Sequence, residues 1–246
     1  MTSTATRKPV AQVSFPGQAA AAAGPCDLLP MFLMHYGFRR DLIQFAAAAA
    51  NTPVADRSAW RRLAKRWDKF GTVLHGHHTG EDEILWPLLL SKVDGAGDSE
   101  ARQTLDAMEA EHSEIDPLLA GCAAGFHRLA EAADADARAA LVVRLAATQQ
   151  RLGDHLGHEE SDAMVILQRH LTAAEWDGMH GEFGKHYKGV LVFTASWVTH
   201  QVPANLMPQV SAFMGTPVML VSRVLRPWFD RQERRTFGRA YRMLPS

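Results

Sequence analysis

The chain has 246 residues, of which 47% are hydrophobic and 22% charged, ordinary values for a globular protein with a sizeable core. Its formal net charge of −1 provides no field that would recruit nucleic acid or an anionic membrane. Two distant cysteines, Cys26 and Cys122, exclude a disulfide framework and a cysteine zinc site. With no signal peptide and no apolar run that could span a bilayer, we expect a cytoplasmic protein without a transmembrane segment.

The first segment, residues 1–25, is rich in Ala, Ser, Thr, Pro and Gly and is predicted to be a disordered tail. From residue 26 to 171 the apolar spacing is helical, and it predicts four long helices. Their approximate ranges are 27–50, 56–92, 98–131 and 136–170. Because the links between them are short, the sequence predicts an all-α protein built on an antiparallel up-down-up-down four-helix bundle.

A C-terminal extension follows over residues 172–246. Thr172 and Glu175 have the spacing of a capping box, so a helix is predicted to begin there. Beyond it, prolines are predicted to divide the extension into short helices, at Pro203, Pro208, Pro217 and Pro227. The pattern assigns no role to this extension.

A repeated motif lies in the second and fourth predicted helices. Residues 74–82 read LHGHHTGED and residues 152–160 read LGDHLGHEE, so both copies have the pattern L-x-x-H-x-x-x-E-[DE]. The four-residue spacing places a histidine and a carboxylate on one helix face in each copy, His77 with Glu81 and His155 with Glu159. A single pair arises readily by chance, but a repeat of the longer pattern indicates a shared function.

Each copy of the motif follows a lone histidine on the preceding helix. His35 lies 42 residues before His77, and His112 lies 43 residues before His155. At a rise of about 1.5 Å per residue, these positions fall near one level of the bundle. An apolar core tolerates four imidazoles and two carboxylates only if something satisfies them, and a metal centre does so. The candidate metal ligands are His35, His77, Glu81, His112, His155 and Glu159.

Isolated pairs outside the repeat carry less weight. His127 and Glu131 also have the HxxxE spacing and are interpreted as a surface ion pair near a helix end. HxxxD pairs show that such spacing is common, as at His78/Asp82, His112/Asp116 and His158/Asp162. His78 is therefore not among the candidate ligands.

Four glycines flank the candidate ligands. Glycine in a helix interior costs about 1 kcal/mol relative to alanine. Their positions predict close packing or an access route, with chance placement at a surface as the alternative: Gly76, Gly80, Gly153 and Gly157.

At these residues the sequence resembles the hemerythrin-like (HHE cation-binding) family, whose members are four-helix bundles with a non-haem di-iron site. The resemblance covers roughly residues 27–170 and is most specific in HHTGEDEILWP, which begins at His77. The lone His35 in MHYGFRRDL also resembles the first-helix histidine of the family. The order H…HxxxE…H…HxxxE and the long extension resemble actinobacterial long-form members.

The sequence departs from the oxygen-carrying hemerythrins, whose third helix carries HxxxH and whose fourth carries HxxxxD. Here the third helix has His112 and Asp116, which leaves one histidine ligand fewer. On the fourth helix Glu160 has the five-residue spacing, so Glu159 and Glu160 compete for the ligand role. The repeat favours Glu159, because that residue matches Glu81. These departures argue against reversible oxygen carriage.

Mixed imidazole and carboxylate ligands on two helix pairs suit two ions bridged by the carboxylates. The resemblance implies two iron ions in a non-haem, oxo- or hydroxo-bridged pair. If Glu81 and Glu159 both bridge, each ion has two histidines and two carboxylate oxygens, the bridging oxo or hydroxo makes five ligands, and one position stays open. Open positions on a redox metal predict small-molecule chemistry.

We therefore expect a di-iron protein that reacts with peroxide, O2 or nitric oxide in redox detoxification, as a peroxidase, a catalase-like enzyme or a nitric-oxide-consuming oxidoreductase. Tyr36 is a candidate proton or hydrogen-bond donor beside His35. A sensor or carrier of O2, nitric oxide or iron is the alternative. Iron storage is a further alternative, for which only Glu109 and His112 have the ExxH spacing. The last alternative is a metal-free bundle. The sequence does not decide the oligomeric state.

Overall fold

The computed structural model of the protein describes residues 10–187 and 189–242. All regular secondary structure in these residues is helical, which confirms the predicted all-α class. The α-helices are Leu29–Asn51 (α1), Arg57–Gly80 (α2), Trp86–Ala96 (α3), Ser99–Glu131 (α4), Ala135–His158 (α5), Met164–His170 (α6), Ala173–Phe183 (α7), Leu191–Val198 (α8) and Met207–Phe237 (α9). Short 3-10 turns follow α7 and α9, at Gly184–Tyr187 and Gly238–Arg242.

Three of the long helices begin at aspartate caps. The side chains of Asp56, Asp98 and Asp134 each accept a hydrogen bond from the backbone N–H three residues ahead, at the starts of α2, α4 and α5. Such a cap satisfies an N–H group that has no partner within the helix. The predicted start of the third helix at Asp98 is confirmed.

Two π-helical turns interrupt the long helices. Glu81–Leu85 joins α2 to α3, and Glu159–Ala163 joins α5 to α6. The predicted second and fourth helices are therefore each a pair of α-helices joined by a π-turn. Both turns begin at the glutamate of the repeated motif, and π-turns occur frequently at functional sites.

The long helical segments share one apolar core. Helix α4 packs against α2 and α5, and α1 packs against α5 and α2. The core contains closely packed aromatic rings, among them Phe45, Trp67, Phe70 and Phe126. Burial of rings of this size contributes strongly to the stability of the helical assembly.

Residues 10–25 differ from the expected disordered tail. Phe15 is 3% exposed and stacks on Tyr36, with ring centroids 5.1 Å apart. The backbone N–H of Ala19 donates to Glu160 Oε2 at 3.1 Å, and Gln168 Nε2 donates to the carbonyl of Ala22 at 3.1 Å. The buried ring of Phe15 and these hydrogen bonds thus hold residues 10–25 against the bundle, although the segment has low sequence complexity. Residues 1–9 lie outside the described part of the chain.

The C-terminal extension packs against α1 and α2. The predicted capping box of Thr172 and Glu175 is confirmed at the start of α7. A buried ion-pair network connects α9 to both bundle helices, because Arg66 Nη2 lies 2.6 Å from Asp41 Oδ2 and Arg66 Nε lies 2.8 Å from Glu233 Oε1. Loss of one partner would leave an uncompensated charge in the interior.

Helix α9 is longer than the sequence predicted. It spans 31 residues and has one break in its backbone geometry, at Gly215 with φ 74° and ψ 159°. Pro217 falls just after that break, in the first turn of the resumed helix, where a missing N–H costs little. The kink divides α9 into two helical stretches, and Pro227 lies inside the second without ending it, so the expected division at Pro227 was wrong.

The bundle and the extension approach closely at Gly37. A Cβ atom at this position would lie 2.6 Å from the ring of Trp197, which is buried and donates from Nε1 to Asp41 Oδ2 at 2.8 Å. Because the ring cannot yield easily, Gly37→Ala should lower the free energy of unfolding by about 1–3 kcal/mol. Urea denaturation measures the change.

The matched control is Gly71→Ala in α2, where a Cβ would meet no atom within 4 Å. Because alanine is the better helix former, this substitution should raise the free energy of unfolding by up to about 1 kcal/mol. Equal effects of the two substitutions would contradict the close contact at Gly37.

Candidate metal centre

The six predicted ligand residues lie together in the interior. His35 Nε2 is 3.2 Å from His77 Nε2, and His112 Nε2 is 3.1 Å from His155 Nε2. Each of the six side chains belongs to a buried residue, with Glu81 and Glu159 fully enclosed. The helix-length comparison therefore predicted the common level correctly.

The ligand atoms form two groups, within each of which all atoms lie within 4.8 Å of one another. The first group contains two histidines and two carboxylates: His35, His77, Glu81 and Glu159. The second group contains three histidines: His78, His112 and His155. Either group has enough nitrogen and oxygen atoms to hold a metal ion.

The two carboxylates connect the groups. Glu81 Oε1 lies 3.1 Å from His77 Nε2, and its Oε2 lies 3.6 Å from His112 Nε2. Glu159 Oε2 lies 3.2 Å from His35 Nε2 and 3.9 Å from His155 Nε2. Each carboxylate therefore reaches histidines of both groups, which is the geometry that a bridging ligand requires.

His78 is a member that the sequence analysis missed. It is 3% exposed, neither ring nitrogen has a hydrogen-bond partner, and its ring stacks on that of His112 with centroids 3.9 Å apart. Asp82 accepts instead from His112 Nδ1 at 2.8 Å, so the decision to leave His78 with the uninformative HxxxD pairs was wrong. The adjacent pair His77-His78 was the available signal, because neighbouring residues on one helix face different helices.

Carboxylates also lie against the outer nitrogens of three histidines. The Nδ1 atoms of His35, His112 and His155 donate to Glu160, Asp82 and Glu111 at 2.8–2.9 Å. A carboxylate only accepts, so Nδ1 carries a proton in each of these histidines and Nε2 faces the interior. This arrangement orients histidines that bind metals and increases their basicity.

Glu159 and Glu160, the two candidates for the fourth-helix carboxylate, have different partners. Glu160 accepts from His35 Nδ1 at 2.9 Å and from both terminal nitrogens of Arg39, at 2.5 and 3.1 Å. Burial raises the pKa of Glu160, but His35 and Arg39 outweigh it and lower the pKa overall. Neither oxygen of Glu159 accepts a hydrogen bond. Glu160 therefore supports His35 from outside, and Glu159 has free oxygens inside.

The electrostatics of the interior also fit a cation. Burial and repulsion by Glu159 raise the pKa of Glu81 well above its usual value. Burial, together with neighbouring histidines, lowers the pKa of His77 and His78 well below the usual value, so these rings are neutral and have lone pairs. Four carboxylate oxygens and both nitrogens of His78 are buried without hydrogen bonds, a cost that bound cations would remove.

Tyr36, the candidate proton donor, lies away from this cluster. Its hydroxyl donates to the backbone carbonyl of Gln201 at 2.7 Å, so that expectation was wrong. Its side chain instead packs between residues 10–25 and the extension. Tyr187 is the tyrosine close to the site: burial and the charge of Glu81 raise its pKa, and it lines a cavity together with His77. No signal in the sequence indicated this, because Tyr187 lies in the extension.

The glycines near the motif divide into two kinds. A Cβ at Gly80 would lie 2.8 Å from the ring of Phe183, and one at Gly76 would lie 3.2 Å from the carbonyl oxygen of His186. At Gly153 and Gly157 a Cβ would meet no atom within 4 Å. The prediction of close packing is therefore confirmed for the first motif, where the extension covers α2, and is wrong for the second.

An all-helical fold around buried histidines and carboxylates defines a helical cation-binding protein. The family described as Hemerythrin HHE cation binding domain matches residues 31–167, which contain both motifs and all three outer carboxylates. The chain belongs to this family. No curated protein and no solved structure matches it. Within residues 10–187 and 189–242, no helix combines the length and apolarity that crossing a bilayer requires.

Substitution of single histidines tests the ligand set. His77→Ala or His155→Ala should remove most of the bound metal, because each belongs to a different group. His78→Ala should also lower metal content, which metal analysis of the purified variants measures. Three histidines outside the cluster serve as controls and should leave metal content unchanged: His127, His180 and His200. Equal losses in both sets would show that the wrong histidines had been chosen.

Proposed function

We propose that the chain holds two iron ions and reacts with small oxidants, namely peroxide, O2 or nitric oxide, in redox detoxification. The observation that carries this proposal is the position of Glu81 and Glu159, each within reach of histidines from both groups. Two bridging carboxylates between histidine groups suit a pair of ions, and bundle proteins place such pairs between facing helices. The ligands would be the five histidines and these two glutamates.

The two groups provide unequal numbers of ligands. With both carboxylates bridging, the first group would give its ion two nitrogens and two oxygens, and the second group would give three nitrogens and two oxygens. The expectation of two equivalent ions, each with one open position, is therefore replaced by a proposal of two ions with unequal numbers of ligands. The side of His35 and His77 has more room for an incoming small molecule.

Iron held in this way supplies redox chemistry at open coordination positions. Other side chains of the protein orient the ligands. Glu160, held by Arg39, positions His35, while Glu111 and Asp82 position His155 and His112. The buried apolar side chains around the cluster exclude bulk water, which strengthens electrostatic interactions inside it.

The second candidate function is reversible binding, as a carrier or sensor of O2, nitric oxide or iron. One observation favours it: His78 restores the fifth histidine whose absence argued against oxygen carriage. A sensor would further need a change at the centre to reach the extension, and Gly76 and Gly80 place the extension directly against α2.

We also propose the domain division expected from the sequence, with a bundle over residues 26–171 and a helical extension over 172–246. The pairwise packing of α1, α2, α4 and α5 and the short links between them support an antiparallel up-down-up-down order. Residues 10–25, which contact the bundle, belong with it rather than with a separate tail.

Iron content provides the first test. Protein purified from iron-replete cells should contain about two irons per chain and absorb in the near ultraviolet by charge transfer, because two ligand groups are available. Metal analysis and absorption spectroscopy check this. Zinc alone, or less than about half an iron after reconstitution, would contradict the proposal.

Turnover separates the two candidate functions. After anaerobic reduction, exposure to O2 should oxidise the protein without reversible oxygen binding, and the oxidised protein should consume peroxide or nitric oxide over many cycles. Optical spectra and a consumption assay measure this, with His77→Ala as the inactive control. Reversible oxygen binding without turnover would defeat the enzyme and support the carrier or sensor.

A further inference from the structure

A cavity of about 350 Å³ lies between the bundle and the C-terminal extension. Twelve of its seventeen lining residues come from the extension, and the others from α1 and α2. Its buried lining residues include Leu33 of α1 and His77 of α2, and its exposed ones include Leu191 and Phe213. The cavity therefore reaches from the surface to one ring of the first ligand group.

The walls are almost entirely apolar. Methionine, leucine, valine and aromatic side chains supply them, and none of the lining residues is Lys, Arg, Asp or Glu. The hydroxyl of Thr194 is occupied, because it donates to the carbonyl of Val190 at 3.0 Å. His180 also lines the cavity, its Nε2 atom is buried without a hydrogen-bond partner, and burial lowers the pKa of this ring. A charged group placed in this cavity would lose its hydration and find no side chain of opposite charge.

The enclosed space has the dimensions of a small-molecule site. Such sites have volumes from about 300 Å³ upward and are lined mainly by hydrophobic and aromatic side chains. Dissolved gases and peroxide need far less room. The long apolar walls contributed by α7, α8 and α9 thus exceed what access of a small oxidant to His77 requires.

We propose that this cavity binds one uncharged, apolar organic molecule, whose inner end lies against the His77 ring. The extension then has a definite role, since it supplies most of the walls of the site. Leu191, an exposed apolar side chain on α8, lines the outer end and suits the entry of such a molecule. Binding at this site requires neither turnover nor a particular metal.

A matched pair of probes tests the chemical class. N-phenyl-naphthylamine is uncharged, and anilinonaphthalene sulfonate has the same ring system with an added negative charge. In equilibrium dialysis against the full-length protein as purified, the uncharged probe should saturate at about one molecule per chain. The sulfonate should bind at least about tenfold more weakly, because no cationic side chain lines the cavity.

Cavity-filling variants test the location. Ala195→Phe in α8 and Val218→Phe in α9 add bulk to the walls from different helices, so each should weaken binding of the uncharged probe at least about tenfold. Ala140→Phe, at an exposed position of α5, is the control and should leave binding unchanged. Circular dichroism and metal content identify any variant that fails to fold, and the other variant then decides.

Three results would overturn the proposal: no saturable binding to the unmodified chain, binding to both filled variants as tight as to the unmodified chain, or equal binding of the two probes. Dialysis measures binding without any redox step. A failure here is therefore distinguishable from a failure of the proposed di-iron chemistry, which the iron and turnover measurements address separately.

Discussion

The burial of two carboxylates side by side in an apolar core is the constraint on which this structure depends. Glu81 and Glu159 are fully enclosed, and their oxygens accept no hydrogen bonds. Such a pair is strongly unfavourable unless positive charge compensates it. Bound cations would provide that charge. Two other features lie at these carboxylates. A π-turn begins at each glutamate, and outer carboxylates orient the histidines that face them.

The C-terminal extension packs directly against this core. Trp197 packs on Gly37, and Phe183 packs on Gly80, so two bundle helices accept the extension at glycines. The network of Arg66, Asp41 and Glu233 then holds α9 to the bundle from the other side. The extension lies over α2 and lines the cavity that reaches His77. The bundle thus provides the metal ligands, and the extension provides their surroundings.

The unequal ligand groups alter how function is inferred from the motif. A count of two histidines for each ion predicts equivalent metals, whereas the third histidine in the group of His78, His112 and His155 makes them different. If two ions are bound, as proposed, small molecules would bind to the ion with fewer ligands. The apolar cavity reaches His77 on that same side. Coordination and access therefore agree, although they arise from different parts of the chain.

The sequence by itself determined the helical class, the family and the six residues of the repeated motif and its preceding histidines. These features are local or periodic, and helix length converts sequence distance into depth. Only the tertiary structure placed His78 in the second group, Glu160 at the outer nitrogen of His35, and the Tyr36 hydroxyl at the carbonyl of Gln201. Each depends on which way a side chain faces and on its partner in a distant segment, such as Glu160 with Arg39 and Tyr36 with Gln201. Spacing along one helix contains no information about such partners, because packing between helices selects them.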